Sequence, residues 1–432
     1  MEKPRIYLKS FGCSTNIADG EVIAGCLAEA GYSIVGDIDQ ADVIIYNTCA
    51  VKGPTEDRMI SLLKHVPSGK KIIVAGCLPL INFDRLVKET RFEGAVGPAP
   101  GDKIVHIVNR VMAGERVIAL ENAQHSMPSL LLPRIRVNPI IGIIPVSYGC
   151  LGSCAYCCVV FARGKLRSYP IHEIIERARL DLADGVKEFW ITSQDTACYG
   201  KDIGSSLPVL LESICAINGA FNVRVGMMNP HMTLGILKEL LKAFENEKIF
   251  KFLHLPVQSG DDDVLKLMRR PYTIAEFKSI VEAFKAKFPR LTLATDIICG
   301  FPGETEEAFE NTLKLIEEVK PDIVNVSKFF ARPRTPAAKM SYKIPASEIK
   351  RRSEVLTELT LKISLERNMQ WIGWEGEILV DEIGMVRDSW VGRNFAYKPI
   401  VVKSESNLLG KRLRVKVEKA FPTYLEGKII LG

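Results

Sequence analysis

From Ile143 to Phe330 the sequence repeats a strand-like segment followed by a helix-like one six times. The strands fall at 143–147, 187–192, 221–227, 250–255, 291–297 and 322–328, with helical stretches such as Ile171–Asp184, Leu234–Glu245 and Thr305–Val319 between them. Repeated βα units bury both faces of a parallel sheet, and six of them predict a partial (β/α) barrel with its chemistry on the loops after the strands. Residues 1–112 alternate in the same way, with strands at Arg5–Lys9, Val43–Asn47 and Ile72–Ala75 and helices near 17–30, 54–64 and 82–89. A connection punctuated by proline, from Glu115 to Pro139, separates the two. After a helix over Ala346–Met369, five short strands (Glu375–Val380, Met385–Val391, Ile400–Lys403, Leu413–Val417 and Leu425–Leu431) fit a small β-barrel of the OB-like kind. The expected architecture is α/β in three domains: 1–114 a parallel-sheet layer, 136–368 the partial barrel and 370–432 the small β-barrel.

Composition excludes several classes. The chain has 432 residues, 47% hydrophobic and 25% charged, as an ordinary globular protein has. The stretch Leu130 to Val146, its most apolar run, is broken by Arg134, Arg136 and three prolines, so no membrane span is expected. The start, Met1-Glu-Lys-Pro-Arg, lacks an apolar signal core, and a cytoplasmic protein is expected. In that reducing compartment eleven cysteines point to metal or cluster binding rather than disulfides. Charge is segregated. Residues 331–432 carry 19 Lys+Arg against 12 Asp+Glu, while the remainder carries 38 against 39. A polyanion docked by the tail explains this, as does a plain solvated basic surface.

Cys150-Leu-Gly-Ser-Cys154-Ala-Tyr-Cys157 follows the first barrel strand. Three thiolates spaced C-x3-C-x2-C can hold three irons of a [4Fe–4S] cluster and leave the fourth open to a small molecule. S-adenosylmethionine bound there and reduced by one electron is a biological source of carbon radicals. Zinc is the rival, but it wants a fourth nearby ligand, and the side chain of Cys158 diverges from its neighbour's. The loop, including Tyr156, resembles the signature of the radical-SAM superfamily.

A second triplet is hidden by its spacing. Cys13, Cys49 and Cys77 each follow a predicted strand directly, and the carboxyl ends of parallel strands share one edge where ligands bind. Gly12 and Gly76 would let the chain turn tightly before two of them. Cysteines that merely end buried strands are the plain alternative. Cys26, Cys198, Cys215 and Cys299 read as packing residues.

Read from end to end, the sequence resembles the radical-SAM methylthiotransferases, which add CH3–S to a tRNA base or a ribosomal protein. The runs Asn47-Thr48-Cys49-Ala-Val51, Lys52-Gly-Pro-Thr-Glu-Asp-Arg58, Ala162-Arg163-Gly164 and Ser168-Tyr169 are similar to the archaeal and eukaryotic branch acting on threonylcarbamoyladenosine. Gly392-Arg393, Gly410 and Leu425-Glu426-Gly427 resemble landmarks of the RNA-binding TRAM domain. The resemblance implies two [4Fe–4S] clusters, an auxiliary one on Cys13, Cys49 and Cys77 and the radical one on Cys150, Cys154 and Cys157. It also implies two uses of S-adenosylmethionine: one molecule methylates a sulfur on the auxiliary cluster, and another yields the radical that takes hydrogen from C2 of adenosine 37. An electron donor and a sulfur source are required, and the sequence identifies neither. A ribosomal-protein aspartate as substrate, or a non-catalytic RNA-binding protein with structural metal, are the alternatives.

Gln194, Asp195, Asn229, Gln258 and Ser259 lie just past barrel strands and are candidates for holding the cofactor, although such residues also cap helices. Ser193-Gln194-Asp195-Thr196 takes the place of the superfamily's methionine-amino contact by resemblance, without its Gly-Gly-Glu form. His231 and His254 read as positioning residues. For tRNA phosphates the candidates are Arg163, Arg167, Arg332 and Arg334 near the barrel mouth and Arg393, Lys411, Arg412 and Arg414 in the tail, with salt bridging the alternative.

Overall fold

The computed structural model describes residues 3–49 and 53–430, so Ala50, Val51 and Lys52 of the quoted runs lie outside the described residues. Short apolar runs build the first layer, a sheet of six parallel strands: β1 (Arg5–Ser10), β2 (Ser33–Val35), β3 (Val43–Thr48), β4 (Lys71–Gly76), β5 (Gly94–Val96) and β6 (Val117–Ala119). Their spatial order is β2-β1-β3-β4-β5-β6. Every residue of the central β3 is buried, as a strand covered on both faces requires. β6 pairs with β5 inside the segment expected to be a connection, so this layer runs past residue 114. Three residues are too few to show a period, which hid β2, β5 and β6.

The central domain opens with β7 (Ile141–Pro145), whose last residue has no N–H to continue the ladder. Two short segments, β8 (Ser147–Tyr148) and β9 (Arg167–Ser168), then pair antiparallel. β10 (Glu188–Thr192), β11 (Asn222–Val225), β12 (Phe252–His254), β13 (Thr292–Cys299) and β14 (Ile323–Lys328) complete the six parallel strands. They form the triplets β11-β10-β7 and β12-β13-β14, joined by a bridge between Val223 and Ile249. The arc is open between β7 and β14. Helix Ser14–Glu29 of the first layer packs against β7 and β10, with Ala18 in one apolar cluster with Ile141, Ile143 and Trp190. Of the helix expected over Leu234–Glu245, Leu237–Ala243 is helical, and a separate short helix, Pro230–Leu234, precedes it.

Helix Ala346–Met369 matches its expected limits and leads to a closed barrel of β15 (Glu375–Ile383), β16 (Ser389–Arg393), β17 (Pro399–Lys403), β18 (Arg412–Ala420) and β19 (Leu425–Ile429). Met385, expected in a strand, sits in the β15–β16 turn, which closes through Gly384 N–H to the Ser389 carbonyl. This barrel docks under the amino-terminal ends of the central strands. Tyr397 packs between Phe250 and Phe252, 4.8 and 5.2 Å away between centroids, with the Arg224 guanidinium over its ring. Lys398, nearly buried, reaches Asp322 at 2.8 Å and Asn368 at 2.7 Å, tying tail, central barrel and connecting helix together.

Candidate active site

β1, β3 and β4 are neighbours in the sheet, and Cys13, Cys49 and Cys77 follow just beyond their carboxyl ends. Cys77 N–H donates to the Thr48 carbonyl at 3.0 Å, which holds two of the three turns together. Both glycines are required. Gly12 has φ +99°, and a Cβ there would stand 2.5 Å from Cys49 Cβ. Gly76 has φ +93°, and its Cβ would meet the Thr48 carbonyl at 2.4 Å. Asn16 adds a brace, donating to the carbonyls of Phe11 at 2.8 Å and Asn47 at 3.1 Å. Burial pushes Cys77 up to about 12, and Cys49 and Cys13 add to the rise.

Cys150, Cys154 and Cys157 curl around a second point. Gly152 N–H donates to Cys150 Sγ at 3.2 Å, and Gln194 accepts from Gly149 N–H at 2.6 Å at the base of the loop. Burial raises Cys150 to about 11 and Cys157 to about 12, so loading metal here must release protons. Arg270, buried, points Nη1 at Cys154 Sγ from 3.6 Å, while its Nη2 donates to the Pro256 carbonyl at 2.9 Å. Among the described residues no three Cys, His, Asp or Glu close around a single metal ion. A four-iron cube places each thiolate on a different iron, so its ligands surround a volume rather than a point. Sulfur-only donor sets with N–H groups directed at them fit such a cluster.

One cavity of about 520 Å³, in the range of small-molecule sites, is lined by one cysteine of each triplet, Cys13 and Cys157. His254, Asp296 and Asn325 also line it. The ring Nε2 of His254 lies 3.2 Å from Asp296 Oδ1, and Asn325 Nδ2 donates to the same oxygen at 2.7 Å. Sequence reasoning missed Asp296, Asn325 and Arg270. Alternation along β13 and β14 was the available signal for the first two, since it turns Asp296 and Asn325 to the same lumen as His254.

Of the cofactor candidates, Gln258 lines the cavity, with a left-handed φ of +73°. Asp195, Asn229 and Ser259 each have an internal partner. Asp195 accepts from Ala197 N–H at 3.1 Å, Asn229 N–H at 3.0 Å and Cys198 Sγ at 3.0 Å. Asn229 caps the next turn through His231 N–H, and Ser259 accepts from Asp261 N–H. Cys26, Cys198, Cys215 and Cys299 are buried, and Cys158 packs among Met59, Leu78 and Ile81 in the first layer's core.

The expected phosphate contacts divide sharply. Arg163 is buried against Asp19 at 2.7 Å, and Arg332 is buried against Glu56; neither presents a guanidinium to solvent. Arg167 donates to the carbonyls of Lys165, Ser126 and Arg163. Arg393 pairs with Asp381 at 3.0 Å and Glu382 at 3.1 Å, and Arg412 with Glu377 at 2.8 Å. Arg334 is exposed, stacked on Phe161 with Nη2 on the Leu80 carbonyl, and Lys411 and Arg414 are exposed. Much of the C-terminal basic excess therefore neutralises carboxylates of this same chain.

Three family models match: the Radical SAM superfamily over residues 144–316, the uncharacterized protein family UPF0004 over 5–97 and the TRAM domain over 371–430. A probable threonylcarbamoyladenosine tRNA methylthiotransferase of Pyrococcus abyssi is 42% identical over 428 residues, 99% of each chain. The chain belongs to the radical-SAM methylthiotransferase family, in its threonylcarbamoyladenosine branch. The human threonylcarbamoyladenosine tRNA methylthiotransferase is 38% identical over 98% of this chain and 74% of its own. The fold is similar to that of the radical S-adenosylmethionine methyltransferase TsrM from Kitasatospora setae, with TM-score 0.56 and 13% identity over 78% of this chain and 75% of that one. Membership brings S-adenosylmethionine and a [4Fe–4S] cluster as cofactors. No helix among the described residues is long and apolar enough to cross a membrane.

Proposed function

We propose that this protein converts threonylcarbamoyladenosine at position 37 of tRNA to its 2-methylthio form, with a second [4Fe–4S] cluster on Cys13, Cys49 and Cys77. The observation that carries the reading is the shared cavity of nucleoside size, which is lined by both Cys13 and Cys157. The cluster on Cys150, Cys154 and Cys157, with S-adenosylmethionine bound, supplies a carbon radical on reduction. The remaining work falls to the protein. His254, Asp296 and Asn325 form a fixed polar floor with hydrogen-bonding groups for an adenine edge or a ribose. Gln258 adds an amide from the adjacent wall. Exposed Arg334 and Lys165, with Lys328 on the cavity rim, offer charge to the anticodon-loop backbone as the base enters. An electron donor and a sulfur source are further partners of the reaction, and the protein acts in the cytoplasm.

The test is mass spectrometry of nucleosides after anaerobic incubation of reconstituted protein with S-adenosylmethionine, sulfide, a reductant and tRNA carrying either threonylcarbamoyladenosine or isopentenyladenosine. A methylthio mass gain on the first alone is expected. Deoxyadenosine release with no gain on either would move the search to a protein substrate. Cys13→Ala should still release deoxyadenosine but make no methylthio product.

A further inference from the structure

Arg163 ends the five-residue helix Val159–Arg163, which starts two residues after Cys157. Its side chain turns away from that loop into the first layer, where it is 1% exposed. Nη2 meets Asp19 Oδ2 at 2.7 Å and donates to Asn16 Oδ1 at 3.1 Å. The Tyr148 hydroxyl donates to the other Asp19 oxygen at 2.7 Å, and the guanidinium lies 5.5 Å from the Tyr148 ring centroid. Asn16 and Asp19 belong to the helix that Cys13 begins. Nη1 is buried and makes no hydrogen bond among the described residues.

A buried guanidinium N–H without an acceptor is costly, so its direction is informative. The guanidinium sits beside the cysteine turns, because its partner Asn16 also donates to the carbonyls of Phe11, Asn47 and Thr48, which flank Cys13 and Cys49. After burial itself, Arg163 is the strongest influence on Cys77, and Cys77 and Cys13 act on Arg163 in return. Arg270 stands in the same relation to Cys154 in the other triplet, at 3.6 Å.

We propose that Arg163 donates a hydrogen bond to the sulfur shell of the cluster on Cys13, Cys49 and Cys77 and thereby raises its reduction potential, a role that rests on the two-cluster reading above. A four-iron cluster on three thiolates is anionic and becomes more so when it gains an electron. Hydrogen bonds to sulfur and a buried cation both favour that reduced form. Because Arg163 closes the helix leaving Cys157, it also ties the radical-cluster loop to the position of the auxiliary site. It is a positioning and tuning residue and not a ligand.

The experiment uses full-length protein carrying Cys150→Ala, Cys154→Ala and Cys157→Ala, in which only the first-layer cluster can assemble. Iron and sulfide analysis comes first, followed by a redox titration monitored by electron paramagnetic resonance. Adding Arg163→Met should lower the midpoint potential and alter the g-values, and Arg163→Lys should lower it less. Arg163→Met with Asp19→Leu removes the whole pair, so the fold is not left with a lone buried charge, and it too should show the lowered potential. No iron in the triple-Cys background overturns both the two-cluster reading and this role. Normal iron with an unmoved potential in every Arg163 variant overturns the role of Arg163 alone.

Discussion

Arg332, on the loop after the last barrel strand, forms a buried ion pair with Glu56, on helix Gly53–Lys64 of the first layer. Both side chains are nearly inaccessible, and Glu56 is further bound by Asn82 at 2.7 Å and Arg85 at 2.9 Å. The pair stands at the edge of the shared cavity, since Arg332 lines it with Cys13. It therefore fixes the spacing of the two layers that carry the two triplets.

Breaking that clamp on one side leaves a buried charge. Arg332→Met should destabilise the protein by about 3 kcal/mol, read as a lower denaturant midpoint. The double variant Arg332→Met, Glu56→Leu should recover part of the loss, because neither charge remains to be desolvated.

Gly12→Ala and Gly76→Ala should each prevent loading of the first-layer cluster. Both positions have left-handed φ, and the added Cβ meets Cys49 or the Thr48 backbone. Reconstituted variants should hold roughly half the iron of the parent while still cleaving S-adenosylmethionine. Full iron content would show that the turn has another way to form.

Burial raises the Glu21 carboxyl from 4.5 to about 7; its Oε1 accepts from Val137 N–H at 3.0 Å and its Oε2 has no hydrogen-bond partner among the described residues. The folded state thus holds a proton that the unfolded chain releases first. Its contribution is complete below pH 4.5 and is lost as pH rises through about 7. Glu21→Gln should match the parent near pH 4.5 and be more stable at pH 8, by an amount on the order of 3 kcal/mol. Equal stability of the two proteins at pH 8 would rule this out.

Tyr397 plugs the lower end of the central barrel, with φ +61°. Tyr397→Ala should cost about 3–5 kcal/mol by leaving a hole beneath Phe250, Phe252 and Arg224, measured by chemical denaturation.

For tRNA, Arg334→Ala, Lys411→Ala and Arg414→Ala are expected to weaken binding with little effect on stability, each reducing the salt slope by about 1. Arg393→Ala should behave oppositely, lowering stability at the tail–barrel contact, because its charge is committed to Asp381 and Glu382. Binding assays at several salt concentrations separate the two outcomes.

Much of this protein is legible in one dimension. The six βα units, the helix Ala346–Met369 and the five tail strands follow from local periodicity, which only needs residues within one element. The C-x3-C-x2-C loop is local too, and its spacing suits three irons of one cluster. Cys13, Cys49 and Cys77 could be grouped because each ends an apolar run, and strand ends share an edge in any parallel sheet. The arginines were not legible in this way. Arg163 follows Cys157 closely and Arg332 follows the last barrel strand, so both seemed to belong at an RNA-facing mouth. Which way each side chain turns depends on Asp19 and Glu56, the latter 276 residues from Arg332. The sequence by itself determined the elements and the two sulfur triplets, because propensity, periodicity and ligand chemistry act over a few residues. Only the tertiary structure decided that Cys13 and Cys157 line one cavity and that several cations are buried partners of carboxylates, because burial and ion pairing arise where distant segments pack.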